Sequence, residues 1–256
     1  MIEQIIQLLQ GTSSEFVSVC MLLVSGLGCL LMFRAFGLYG LYSFISLSVI
    51  AANLQVLKAA KFSHLDEPVA LGTIVFGATY MATNIITEHY GRKEAMRAVW
   101  IGFSSMFFMT LMMLITLGWP KLGGGGDNVR FDQVHDAIAM LFIPAPAIFL
   151  ASFISYVVSQ YNDVWIFSFI KILTRNRWLW MRTNLATLSS AFIDSAIFSF
   201  LAWYVFAPEP YSLSTIWYTY ILGTYIFRVI LSFLNTPFVY LSYAFKPQEK
   251  YYPRHV

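Results

Sequence analysis

The sequence predicts an all-α fold: a polytopic helical membrane protein with about seven transmembrane helices, its N-terminus outside and its C-terminus cytoplasmic. Three observations predict it. Of 256 residues, 58% are hydrophobic and 11% charged, against about 25% charged in an average soluble domain. The apolar residues fall into runs of roughly 20, the length that crosses about 30 Å of hydrocarbon. The Lys and Arg residues gather on alternate loops. A single transmembrane domain accounts for residues 1–256.

Residues 1–15 read as a short amphipathic lead-in. They carry Glu3 and Glu15 but no Lys or Arg, so the basic region of a cleavable signal peptide is missing and the first apolar span is expected to be retained. The predicted spans are 16–33, 36–57, 68–86, 98–119, 144–161, 184–206 and 213–243. The run 137–143 is either a surface helix or the lower part of the fifth span. Residues 164–173 read as an interfacial helix with Lys171 snorkelling to the headgroups. Gly123 to Gly126 form a flexible joint in the longest polar loop. Pro237 in the seventh span, and Pro144 and Pro146 at the fifth, are expected to kink or start helices. No internal repeat is visible.

Seven spans place 11 basic residues on one side, among them Arg92, Lys93, Arg175, Arg182, Lys246, Lys250 and Arg254. The other side holds four: Lys58, Lys61, Lys121 and Arg130. The richer side is cytoplasmic by the positive-inside rule, and Trp178 and Trp180 suit an interfacial belt beside it. A net charge of +3 is too small to indicate nucleic acid; the basic residues between apolar spans point to the lipid bilayer as partner. Cys20 and Cys29 share the first span, and His64, His89, His135 and His255 lack ligand spacing, so no metal or cofactor is expected. The last span contains no lysine, which excludes a retinal Schiff base.

Ionisable groups inside a membrane cost several kcal/mol and default to functional candidates. Asp194 lies near the middle of the sixth span and Arg228 near the middle of the seventh. Each belongs to a polar stripe at helical spacing: Asn184, Thr187, Ser190 and Asp194 in the sixth; Thr224, Tyr225, Arg228, Ser232 and Asn235 in the seventh. Tyr156, Gln160 and Asp163 line up in the fifth, and Tyr80, Asn84, Thr87 and Glu88 in the third. Four converging polar faces describe a solute pathway. The blander reading is that Ser, Thr and Asn join helices by hydrogen bonds and that Asp194 with Arg228 is only a buried ion pair. Such a pair is often no better for stability than a hydrophobic replacement, which favours function for these two. No HExxH, GxSxG, paired intramembrane aspartates or phosphate-cradling loop is present, so no enzyme is indicated.

Four segments carry a family resemblance: ANLQVLK at 52–58 with FGATYMATNIITEHYGRKEA at 76–95, ASFISYVVSQYNDVWIF at 151–167, RTNLATLSSAFIDSAIF at 182–198, and YIFRVILSFLNTPFVY at 225–240. Through them the chain resembles the queuosine precursor transporter (VUT) family. The resemblance implies a six-helix family core over 36–245, preceded by an extra N-terminal helix over 1–35. It also implies uptake across the bacterial inner membrane of a 7-deazaguanine: the cyano or aminomethyl precursor, or queuine, for tRNA queuosine modification. It carries site or gate roles to Asn53, Glu88, Asp163, Asn184, Asp194 and the basic position 228. This chain has Asn84 where the family usually has Asp, and Arg228 where it commonly has Lys.

A deazaguanine offers a ring N–H and an exocyclic amine beside a carbonyl. Asp194 suits the two donors, Arg228 or Asn184 the carbonyl, and Tyr225, Tyr156 or Phe198 the flat ring; Asn53, Asn84 and Gln160 complete the candidate substrate-binding set. Glu88 and Asp163 are candidates for gating or proton coupling, or for interfacial pairing with Arg92, Lys93 or Arg175. Two other functions stay open on the residues: a substrate-binding subunit of an energy-coupling-factor vitamin importer, and a structural subunit of a membrane complex. A homo-oligomer is compatible with all three.

Overall fold

The computed structural model describes residues 1–63, 69–126, 128–143, 146–207 and 209–247. Expectations for His64, His255, Pro144, Lys250 and Arg254 fall outside them. The described chain is helical apart from connecting segments and one antiparallel pair of two-residue strands, β1 (Ala59–Ala60) and β2 (Val69–Ala70). The helices are α1 (Ile2–Gln10), α2 (Ser14–Gln55), α3 (Gly72–His89), α4 (Arg92–Thr116), α5 (Asn128–Phe142), α6 (Pro146–Leu173), α7 (Leu179–Phe200), α8 (Leu213–Thr215) and α9 (Thr224–Leu241). Helix α7 continues as a π-helix over Leu201–Val205, and a second π-helix, Ile216–Gly223, joins α8 to α9. Among the described residues, four helical runs are long and apolar enough to cross a bilayer: Ser14–Gln55, Arg92–Thr116, Leu179–Val205 and Leu213–Leu241.

Helix α2 is not one rod. A straight helix of its 42 residues would run about 63 Å, twice the hydrocarbon. Gly37 breaks it with φ 59° and ψ −134°, a conformation closed to residues that carry a Cβ. Beyond it the chain doubles back. A Cβ on Gly40 would collide with the Met32 carbonyl, and one on Gly28 would touch the Phe44 ring at 4.0 Å. The Ser63 amide donates to Glu15 Oε1 at 2.6 Å, so the segment that follows the hairpin's second arm returns to the start of the first. The predicted spans 16–33 and 36–57 are its two arms.

One expectation is corrected. Residues 164–173 are not a separate interfacial helix; they continue α6. Val164, Phe167 and Ile170 are buried at helical spacing, and nothing in that stretch interrupts the turn. Lys171 reaches the Glu88 carbonyl at 2.8 Å rather than the headgroups. Of the two readings of 137–143, the helix outside the fifth span is the one observed: the run falls at the end of α5, which begins at Asn128 and packs on α4. The seventh span runs helical through Pro237.

The burial pattern is inverted relative to a water-soluble protein. Leu31, Phe108 and Ile172 are 59%, 58% and 79% exposed, whereas Thr83, Asn84, Gln160, Asp163 and Ser190 are fully enclosed. Helix α3 is the hub, packed by α2, α4, α6, α7 and α9. At one end of the bundle the Phe33 ring meets His89 and Tyr90, and Arg34 lies over the Phe245 ring. At the other, the end of α2 abuts the start of α3, where a Cβ on Gly72 would strike the Ala52 carbonyl.

Gly37→Ala is expected to cost about 1–3 kcal/mol through the forbidden backbone, read as a lowered thermal midpoint of the detergent-solubilised protein. Gly28→Ala makes only van der Waals contact and should leave the midpoint unchanged. Equal midpoints for the two variants would contradict the turn.

Candidate functional site

Asp194 and Arg228 meet between α7 and α9. Arg228 Nη1 donates to Asp194 Oδ2, and Asp194 is 4% exposed. The guanidinium lies 5.9 Å over the Phe76 ring, a cation–π contact, with Nη1 3.5 Å from the Ala191 carbonyl. Its Nε is buried without a partner. The acid is placed by the α7 stripe, whose Asn184, Thr187 and Ser190 are also buried.

Both charges line a cavity of about 70 Å³ toward the Gly72 end of α3. Its walls come from five helices: Ala52, Asn53 and Val56 of α2; Gly72, Thr73 and Phe76 of α3; Ser152, Ser155 and Tyr156 of α6; Asp194 and Phe198 of α7; and Arg228. Tyr156 brings a buried hydroxyl with no partner. The volume is well below the roughly 300 Å³ of a small-molecule pocket, so the walls must part to admit a bicyclic ring. On the far side of Arg228 and Phe76 a second void of about 20 Å³ reaches Tyr80, Thr187, Ser232 and Asn235. That is room for about one water.

Deeper still, side chains of α3, α6, α7 and α9 form a hydrogen-bonded seam. Gln160 donates to Thr79 at 2.9 Å and accepts from Thr83 at 3.2 Å. Tyr80 donates to Ser159 at 2.9 Å. Asn84 Nδ2 donates to Thr187 at 3.1 Å, and Thr187 donates to Asp163 Oδ1 at 3.3 Å. Asn184 donates to Thr236 at 2.8 Å and accepts from Ser232 at 2.9 Å.

The seam ends at Glu88. Its carboxylate accepts from Arg182 Nη2 at 2.6 Å, lies 3.3 Å from Lys171 Nζ and accepts from the Tyr243 hydroxyl. Arg182 is 1% exposed, with its guanidinium 5.5 Å over the Phe167 ring. The C-terminal ends of α3, α6 and α9 and the start of α7 are thereby tied together.

Of the sequence-predicted residues, Asp194, Arg228, Asn53, Tyr156 and Phe198 share the cavity. Asn53 faces it while donating to the Val49 carbonyl at 2.8 Å. Asn184, Asn84 and Gln160 lie in the seam, outside the cavity walls. Tyr225 packs edge-on against Phe192 at 5.6 Å, away from the cavity. Glu88 joins Arg182 and Lys171, not Arg92, Lys93 or Arg175. Sequence reasoning missed Phe76 and Thr73 as cavity residues. Phe76 sits four residues before Tyr80 on the polar face of α3, so helical spacing was the available signal.

A family model described as "Putative vitamin uptake transporter" matches residues 70–242, which include α3, α6, α7 and α9. The chain belongs to this family. The transporter is also 29% identical over 222 residues to a Bacillus subtilis (strain 168) protein named "Probable queuosine precursor transporter"; the match covers 86% of this chain and 91% of that one. No solved structure matches it. It is a multi-pass membrane transporter, not an enzyme.

Removing one partner of a buried ion pair leaves an uncompensated charge and costs about 3–5 kcal/mol. Glu88→Ala in this transporter should therefore lower unfolding stability by that order, measured by denaturation in detergent. A loss under about 1 kcal/mol, typical of an exposed pair, would contradict the enclosed geometry of Arg182.

Proposed function

We propose that the protein imports a 7-deazaguanine base, a queuosine precursor or queuine, across the bacterial inner membrane. The observation that carries the reading is the Asp194–Arg228 pair at the wall of the outer cavity, in a chain similar to a protein named for queuosine precursor transport. While empty, the two charges neutralise each other. A guanine-like edge exchanges for that contact: the carboxylate accepts from the ring N–H and the exocyclic amine, and the guanidinium, a fork rather than a point charge, donates to the carbonyl. Phe76, Tyr156 and Phe198 supply faces for the ring.

The chain crosses the membrane seven times in this reading: the two arms of α2, then α3, α4, α6, α7 and the α8–α9 run. Support comes from the hairpin at Gly37 and from the basic residues Arg34, Arg92, Lys93, Lys171, Arg182 and Lys246, which share the Gly91 end of the bundle. That end is cytoplasmic and the cavity opens outward. The Glu88 cluster closes the cytoplasmic side, and inward opening breaks it.

The test is rescue of tRNA queuosine in a bacterium lacking its own transporter, fed the cyano precursor, the aminomethyl precursor and queuine separately. The protein expressed alone should restore queuosine with at least one base. Asp194→Asn should abolish rescue while the protein still inserts in the membrane. Full rescue by Asp194→Asn would discard its role. Rescue that requires a separate ATPase module would favour an energy-coupling-factor subunit.

A further inference from the structure

Asp163 is the carboxylate the binding chemistry leaves unused. It is fully enclosed on α6. Its one hydrogen bond is the long contact from Thr187, and its Oδ2 has no partner. The titratable and charged groups around it all have other engagements. From α3, Tyr80 bonds Ser159 and Glu88 bonds Arg182. On α6 itself Lys171 turns to Glu88. Asp194 of α7 and Arg228 of α9 hold each other. Among the described residues, no cation pairs with Asp163. An unpaired carboxylate in such a place is expensive, whereas the protonated acid fits it. In the chain Asn84→Thr187→Asp163, both Asn84 Oδ1 and Asp163 Oδ2 are acceptors without donors. A proton on the carboxyl turns one of these into a donor.

Its position makes that proton useful. Thr187 both lines the inner void beside Arg228 and donates to Asp163. Asp163 therefore stands one hydroxyl away from a void continuous in direction with the outer cavity, on the way to the Glu88 closure. We propose that Asp163 carries a proton in a proton-coupled transport cycle. It takes H⁺ from water on the outer side, by way of the void beside Thr187, while the Glu88 cluster is shut. It releases H⁺ to cytoplasmic water when that cluster opens. No other bond forms or breaks. The inference rests on the carrier reading above and adds its energy source.

The experiment uses the purified full-length protein in liposomes, with voltage clamped by valinomycin and potassium, and radiolabelled 7-cyano-7-deazaguanine, its aminomethyl analogue and queuine as probes. With the neutral cyano base, an acid exterior should drive accumulation by about tenfold per pH unit at one proton per base. Lumenal pyranine should report acidification dependent on added base. Asp163→Asn, which mimics the protonated acid, should still exchange labelled for unlabelled base but lose accumulation driven by the pH gradient. Thr187→Val, which removes the carboxyl's one partner, should move the external pH of half-maximal uptake upward, an independent reading should Asp163→Asn fail to fold. Exchange by the unaltered protein without acid-driven accumulation would overturn the coupling and leave the carrier reading intact. Acid-driven accumulation surviving in Asp163→Asn, or an unmoved midpoint in Thr187→Val, would overturn the role of Asp163. Absence of exchange with all three bases would remove the carrier reading and the coupling with it.

Discussion

Charge enclosed in hydrocarbon has to be matched, and the interior of this transporter is arranged around how each charge meets that demand. Asp194 and Arg228 match each other at the wall of the cavity near Gly72. Glu88 is matched by Arg182 and Lys171 at the opposite end of α3. Helix α3 connects the two centres, which is why five helices pack on it and why almost no residue of it faces lipid. An ion pair that only held helices together could be replaced by packed apolar residues at little cost. Keeping two such centres about three turns apart on one helix is costly unless their rearrangement does something.

The hydroxyls and amides between the centres contribute differently. Interhelical hydrogen bonds in membranes average about 0.6 kcal/mol each, so the seam of Thr79, Thr83, Asn84, Gln160 and Thr187 adds modest stability. Its larger effect is on register. Each bond joins two particular turns, so α3, α6 and α7 cannot slide without breaking several. Stability against lipid comes instead from close packing, as at Gly102, where any Cβ would strike the Tyr156 hydroxyl. Such an interior suits a carrier that switches between two arrangements, because packed interfaces are bistable rather than continuously deformable.

Much of this was legible from residue order alone. The apolar runs marked the arms of α2, helix α3 and the run from α8 through α9 to within about four residues, and α4 and α7 to within about six, because hydrocarbon sets a minimum length for a span. Asp194 and Arg228 stood out because charge there is rare. What residue order could not supply was partner choice. Glu88 had several basic residues near in sequence, yet it meets Arg182 and Lys171, because tertiary packing rather than chain proximity brings α7 and α6 to the end of α3. Tyr225 shares the seventh stripe with Arg228 but is three positions away, about 60° around the helix, and turns toward Phe192. The continuity of α6 past Asp163 was hidden for a related reason: Asp163 and Lys171 look like span ends until their buried partners are seen.

The central claim is that Asp194 and Arg228 serve recognition, not only cohesion. The most direct measurement is a charge exchange, Asp194→Arg with Arg228→Asp, assayed for membrane insertion, thermal midpoint and queuosine rescue. Cohesion is indifferent to which helix bears which sign, but a base recognised by a fixed acceptor and a fixed donor is not. The account predicts a double variant that inserts, recovers most of the stability lost in either single variant, and rescues nothing. Restored rescue in the double variant, with both single variants inactive, would show the pair to be structural and contradict the account.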